Sequence, residues 1–260
     1  MQARQSGAIR YFQFESFDPG RVTHGVFGRH GGVSGGAWAS LNMSTSVGDS
    51  RDNVRANRER AFAALGRAPH SVADLWQVHS ADVVVAEQPR DLSVDAAKAD
   101  VIITNQPAVT LFLRFADCVP VLVYDPRRRA VALVHAGWRG TLLKAAAAAV
   151  RALAEHYGSR PADLVAGIGP SIGPCHYAVG PEVVAQTQAA FNGQAEQLLR
   201  PMDGRTHLDL WAANALALRE AGVGQVEVGG LCTACHTADF FSHRGEHGQT
   251  GRFGALLSLT

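Results

Sequence analysis

The chain has 260 residues, 47% of them hydrophobic and 18% charged, which suits a folded domain with a substantial core and excludes a disordered one. Its 24 basic and 23 acidic residues leave a net charge of +1, so it has no electrostatic footprint for nucleic acid or an anionic membrane; a small molecule is the expected partner. The N-terminal stretch lacks the apolar core of a secretory signal and no apolar run suits a membrane span, so a cytoplasmic location is expected, with Cys118, Cys175, Cys232 and Cys235 as thiols or ligands rather than disulfides.

In chain order, Ile9–Phe14 and Val22–Phe27 alternate as strands do. Residues 28–36 hold five glycines in nine positions, the mark of a loop that turns sharply or approaches a ligand closely. Asp49 and Ser50 can cap a helix over Asn53–Leu65. The runs Asp82–Glu87, Val101–Thr104, Val109–Phe115, Val119–Tyr124 and Ala130–His135 are rich in Val, Ile, Leu and Phe and read as buried strands. Pro126–Arg129 is a tight turn joining two of them as a hairpin. One helix is expected over Gly140–Tyr157, capped by Gly158, followed by a strand at Leu164–Ile168. Helices over Pro181–Phe191 and Leu208–Ala221 and strands at Val226–Gly229 and Arg252–Leu257 complete the chain. Several strands are adjacent with no helix between them. The expected fold is therefore α+β with a mixed sheet, and the absence of repeats and linkers makes residues 1–260 one domain.

Three segments place a soft or borderline ligand at the end of an apolar run. They are Leu75-Trp76-Gln77-Val78-His79-Ser80, Ala116-Asp117-Cys118-Val119-Pro120 and Val134-His135-Ala136-Gly137-Trp138-Arg139-Gly140. Two imidazoles and one thiolate suit Zn2+ with a fourth position open, as in a catalytic site; Cu2+ would accept the same donors. The ligands lie 39 and 17 residues apart, unlike a zinc finger, so spacing alone does not single them out from a buried core histidine or cysteine. Arg29, among glycines, and Arg139, where the expected helix starts, are placed to hold an anion, though either can equally be a surface arginine. Gly167–Gly173 follows a strand but lacks dinucleotide-loop spacing and contains Pro170, which argues against a Rossmann site. Cys232-Thr233-Ala234-Cys235-His236 fits the haem-attachment pattern, which requires export. The pair reads instead as thiols near the site, or as half of a structural zinc site whose other half would be scattered.

These segments occur in a longer ordered set. It includes His24-Gly25-Val26-Phe27-Gly28-Arg29, Ser40-Leu41-Asn42, Val47-Gly48-Asp49, Gln77-Val78-His79, Ala116–Pro120, His135–Gly140, Gly169–Gly173, Phe241-Ser242-His243-Arg244 and Thr250-Gly251-Arg252. The chain thereby resembles, over nearly its whole length, the YfiH-like laccase-domain (polyphenol oxidase) family, described also as multifunctional purine nucleoside phosphorylases. The resemblance implies mixed sheets packed between layers of helices, with His79, Cys118 and His135 as metal ligands. It implies phosphorolysis of adenosine, inosine and 5′-methylthioadenosine, with adenosine deamination alongside; older descriptions imply copper-dependent oxidation of phenols. Gly28, where Thr or Ser is expected, and the pair Cys235 and His236 are departures. On this reading Arg29, Arg139 and Arg244 would hold phosphate, since a guanidinium grips it in two places. Asn42 and Gln77 would hydrogen-bond ribose or base, and Asp117 would shuttle a proton or orient a ligand. Two other readings are a copper oxidase, for which 11 histidines and no H-x-H pair are few, and a cysteine hydrolase with Cys118 as nucleophile.

Overall fold

The computed structural model describes residues 1–260 and stacks four layers, helix on sheet on sheet on helix. The first sheet runs β1 (Gln2–Ser6), β2 (Ile9–Gln13), β3 (Val22–Phe27), β15 (Phe253–Leu259), β7 (Thr110–Phe115) and β4 (Val72–Asp74). The second runs β14 (Gln225–Val228), β10 (Val165–Ile168), β8 (Val119–Asp125), β9 (Ala130–Ala136), β6 (Val101–Thr104) and β5 (Val83–Val85). Both sheets are mixed: β4–β7, β5–β6 and β10–β14 are parallel pairs and the rest antiparallel. A small third sheet joins β11 (Ala178–Val179), β13 (Arg205–Leu208) and β12 (Leu199–Met202).

The layering follows from strands that are apolar on both faces. Every residue of β8 and β9 is buried. Leu122, Tyr124, Val131 and Leu133 face Leu111, Leu113, Phe115 and Leu257 of the first sheet. Val121, Val123, Ala132 and Val134 face the helices α3 (Ala145–Tyr157) and α5 (Leu210–Glu220). Each such fully buried Val or Leu contributes about 1.5–3 kcal/mol relative to exposure. The outer face of the first sheet is covered by α1 (Arg51–Ala64) through Phe62, which packs on Phe112. No helix is long and apolar enough to cross a membrane.

The structure corrects the long helix expected over Gly140–Tyr157. It is two helices, α2 (Trp138–Leu142) and α3, broken at Lys144, whose φ is 56°. Lys144 is held there by an ion pair to Glu220 at 2.9 Å, and Asn214 donates to Thr141 Oγ1 at 2.9 Å. A run of good helix formers thus gives way to tertiary contacts, which aim α2 at the site and α3 at the sheet. The Gly158 cap is present with φ 66°. The remaining helix, α4, spans Pro181–Ala190.

Candidate metal centre and the cavity around it

β8 and β9 form the expected hairpin, with Pro120 opposite His135 and Val119 opposite Ala136. Cys118 therefore enters one arm just where His135 leaves the other. His79 arrives from the loop between β4 and β5. The ligand atoms of His79, Cys118 and His135 lie within 4.8 Å of one another, and the two imidazoles meet edge to face at 5.1 Å. His135 is buried, Cys118 half-buried and His79 exposed.

The trio is held by groups committed to holding it. His135 Nδ1 pairs with Asp100 Oδ1 at 2.7 Å, which turns Nε2 toward the other two ligands. Asp100 Oδ2 accepts from the backbone N–H groups of Val78 and Ser80, at 3.0 and 2.6 Å, on either side of His79. One fully buried carboxylate thus braces both histidines. His79 itself has φ 65° and Asp117 φ 82°, left-handed conformations that a non-glycine residue keeps only under firm constraint. Gly137 passes so close that a Cβ there would meet His79 Cδ2 at 2.8 Å and Cys118 Sγ at 3.0 Å. A thiol and two imidazoles, one oriented by a carboxylate, fit a Zn2+ or Cu2+ ion with a position left open.

The trio faces a cavity of about 590 Å3. Gln77, Asp117 and Arg244 line it, and Arg139 lines a smaller basin beyond the ligands. Asp117 is fully engaged: Oδ1 accepts from Thr233 Oγ1 at 2.6 Å and Ser242 Oγ at 2.7 Å, and Oδ2 from the Arg244 N–H at 2.6 Å. The Gln77 side chain is paired with the backbone of Arg114.

Arg29 and Asn42, by contrast, do not line the cavity. The Arg29 guanidinium donates to Ala39 O, Thr237 O and Glu246 Oε1 and stacks on Phe241, so it ties loops together behind the wall. Asn42 is wholly buried; it donates to Ser44 O and Asp49 Oδ2 and accepts from the Ser44 and Arg252 N–H groups, which fixes the cavity wall from within. The guanidinium groups that do reach the cavity with Arg244 are Arg114 and Arg252, beside Ser44, Thr45 and Ser46. Sequence reading missed both, and it missed Asp100. A single charge inside the apolar run Thr110–Phe115 was the available signal for Arg114. Trp76, 58% exposed, and Tyr177 supply aromatic surface at the same cavity.

Residues 23–260 match the family described as multi-copper polyphenol oxidoreductase laccase. The chain belongs to that family. Among its relatives, the Deinococcus radiodurans protein named purine nucleoside phosphorylase is 41% identical over 238 residues, 92% of this chain and 89% of that one. The Geobacillus stearothermophilus purine nucleoside phosphorylase YlmD is 38% identical, over 90% and 88% of the two chains. The crystal structure of Bacillus licheniformis YfiH superposes with a TM-score of 0.91 at 33% identity, covering 99% of each chain. That of G. stearothermophilus YlmD gives 0.90 at 34% identity, covering 99% and 98%. The expected α+β architecture is therefore that of the family's solved members.

Electrostatics at the centre disfavour Cys118 as a free nucleophile. Burial pushes the Cys118 thiol up to about 12, reinforced by the Asp117 and Asp100 carboxylates and opposed by Arg252. Such a thiol is protonated at neutral pH and attacks poorly until a cation draws off its proton. Burial also lowers the His135 pKa against the pull of Asp100, so that imidazole is neutral and ready to ligate. Burial opposes ionisation of Asp100, but the hydrogen bonds from His135, Ser80 and Val78 outweigh it and hold the carboxyl below its ordinary value. Because loading expels the Cys118 proton, apparent metal affinity should rise with pH, about tenfold per unit through the neutral range. Competition against a chelator of known affinity at pH 6, 7 and 8 measures this; a flat profile would mean that Cys118 does not ligate as thiolate. Asp100→Asn should keep the fold and weaken metal binding about 10–100-fold, since the brace loses its charge. Unchanged affinity in that variant would assign Asp100 to folding alone.

Proposed function

We propose that this protein is a purine nucleoside phosphorylase that also deaminates adenosine, acting on adenosine, inosine and 5′-methylthioadenosine. The observation that carries the reading is the pairing, in one cavity, of the His79–Cys118–His135 trio with arginines that have no carboxylate partner. Arg114 and Arg252 are half-buried, and neither makes an ion pair. Burial lowers the pKa of both, yet a guanidinium stays charged at neutral pH. Asp74 and Asp117 act on them only through space, and the hydrogen bonds of Arg114 and Arg252 to Gln77, Leu75, Thr250 and Gly251 engage only part of each guanidinium, so both arginines keep donors for an anion entering the cavity. With Arg244 and the hydroxyls of Ser44, Thr45 and Ser46 they form a cradle suited to phosphate, whose charge they hold as it attacks the ribose carbon.

Trp76 and Tyr177 offer flat surfaces to a purine. Asp117, with every oxygen accepting a hydrogen bond, orients the Cys118 turn and the Ser242–Arg244 segment rather than shuttling a proton. A zinc ion held by the trio would supply Lewis acidity for water attack at the purine C6 position. The donor set serves copper equally, but three ligands in one group do not provide the several coppers that a laccase uses to reduce O2. The test is to incubate the metal-loaded protein with adenosine with and without phosphate and to identify products. Adenine and ribose 1-phosphate, dependent on phosphate, with some inosine in its absence, are expected. Phenol oxidation scaling with copper and no nucleoside turnover would overturn the reading.

A further inference from the structure

The unassigned cysteines gather at a second place. Cys232 and Cys235 follow β14, and Cys175 and His176 follow β10. Because β10 and β14 are parallel neighbours, their two following loops emerge at the same end of the sheet. There the Cys-x-x-Cys pair, read from sequence as half a site, meets its other half. Cys175 Sγ lies 3.5 Å from Cys235 Sγ. His176 Nδ1 lies 3.3 Å from Cys175 Sγ, 3.3 Å from Cys235 Sγ and 3.8 Å from Cys232 Sγ. All four ligand atoms are within 4.8 Å of one another.

These separations suit a tetrahedron around one ion. Zinc bonds of about 2.3 Å to sulfur and 2.05 Å to nitrogen put ligand atoms about 3.8 Å apart for two sulfurs and about 3.6 Å for sulfur and nitrogen. They are well beyond the roughly 2.05 Å of a disulfide. The surroundings are built as metal–thiolate sites are. The Gly173 N–H donates to the buried Cys232 Sγ at 3.2 Å, the kind of hydrogen bond that stabilises a thiolate. A Cβ at Gly173 would meet Cys232 Cβ at 3.1 Å and Trp211 Cη2 at 2.7 Å, so only glycine lets the loop come this close. The backbones are joined beneath the cluster: Ser171 N–H donates to Leu231 O at 3.2 Å and Thr233 N–H to Ser171 O at 3.0 Å.

The geometry points to a second metal site in this chain, a structural zinc held by Cys175, His176, Cys232 and Cys235. Four protein ligands close its coordination, where the His79–Cys118–His135 centre has three. Loading releases the three thiol protons to solvent and leaves the ion bound by three thiolates and a neutral imidazole. The site pins the cavity wall. His176 precedes Tyr177, and Thr233, between the two cysteines of the pair, donates to the Asp117 carboxylate beside Cys118. Nothing in this depends on which nucleoside the cavity takes.

Metal analysis of the whole protein, purified under reducing conditions, tests it. Wild type should hold two equivalents of zinc per chain. Cys118→Ala should hold one, and Cys175→Ser with Cys235→Ser also one, with a melting temperature several degrees lower. If the double variant does not fold, cobalt(II) loading of wild type and of Cys118→Ala decides: a chromophore of three-thiolate tetrahedral coordination should appear in both. Treatment with a chelator should expose Cys175 and Cys235 to a thiol reagent. One equivalent in wild type and none in Cys118→Ala would overturn the proposal, as would a Cys175–Cys235 disulfide found by mass spectrometry in protein kept reduced.

Discussion

Cys118→Ala is expected to remove one metal equivalent per chain and to cut adenosine deamination about 10³-fold, because Lewis-acid stabilisation is worth several kcal/mol and each 1.4 kcal/mol is a factor of ten. The fold should survive. Cys118 caps the entry to β8 without belonging to it, and Asp117 keeps its three hydrogen bonds whatever follows it. Near-wild-type circular dichroism beside the missing metal is therefore the expected pair of readings. Full occupancy of the centre in the variant, read by metal analysis, would dismiss Cys118 as a ligand. Residual phosphorolysis with deamination gone would show that the metal serves one reaction only.

Arg252→Met should separate the two reactions from the other side. A charge-assisted hydrogen bond is worth about 1.5–3 kcal/mol, so losing it should lower kcat/KM for phosphate about 10–10²-fold. Deamination, which uses no phosphate, should change less than about threefold. Methionine keeps the bulk of the side chain and the backbone N–H that donates to Asn42, so the wall should stand although the side-chain bonds to Thr250 O and Gly251 O are lost. Steady-state kinetics with phosphate varied at saturating inosine, and adenosine deamination without phosphate, give the two numbers. Equal losses in both would place Arg252 in the scaffold.

What could be read from the residues alone divides along a physical line. Strands apolar on both faces announce themselves, and β3 and β6 fall at the expected limits. Sequence reading misses β1, exposed over most of its length, and the short pieces β4 and β11–β13, because too little of them is patterned. The ligand trio rests on the resemblance of flanking motifs, and its intervals make sense only once the hairpin is seen. Arg29 and Asn42 show the opposite error. A polar residue beside a glycine-rich loop looks ready for a ligand, but here the glycines serve internal packing. A Cβ at Gly32 would lie 2.0 Å from Ser40 O. The hydrogen-bonding capacity of Arg29 and Asn42 is spent on neighbouring backbone. Asp100 leaves no trace in sequence because its partners are His135, 35 residues on, and two amides about 20 residues back. Cys175 and His176 went unpaired with Cys232 and Cys235 for the same reason: the partners meet through two parallel strands, not through proximity in the chain.

The β8–β9 hairpin acts as a ruler with Cys118 and His135 at its open end. Seven cross-strand pairs lie between Cys118 and the Pro126–Arg129 turn, and five between the His135 rung and that turn. At about 3.3 Å per residue the turn stands roughly 20 Å from the centre. The hairpin can therefore grow or shrink only by whole rungs, two residues at a time. A one-residue insertion within either strand would rotate its ligand to the opposite face of the sheet. Changes in the turn itself leave the spacing untouched, so a fluorophore attached at the exposed Arg128 would report on events in the cavity from a fixed distance without entering its chemistry.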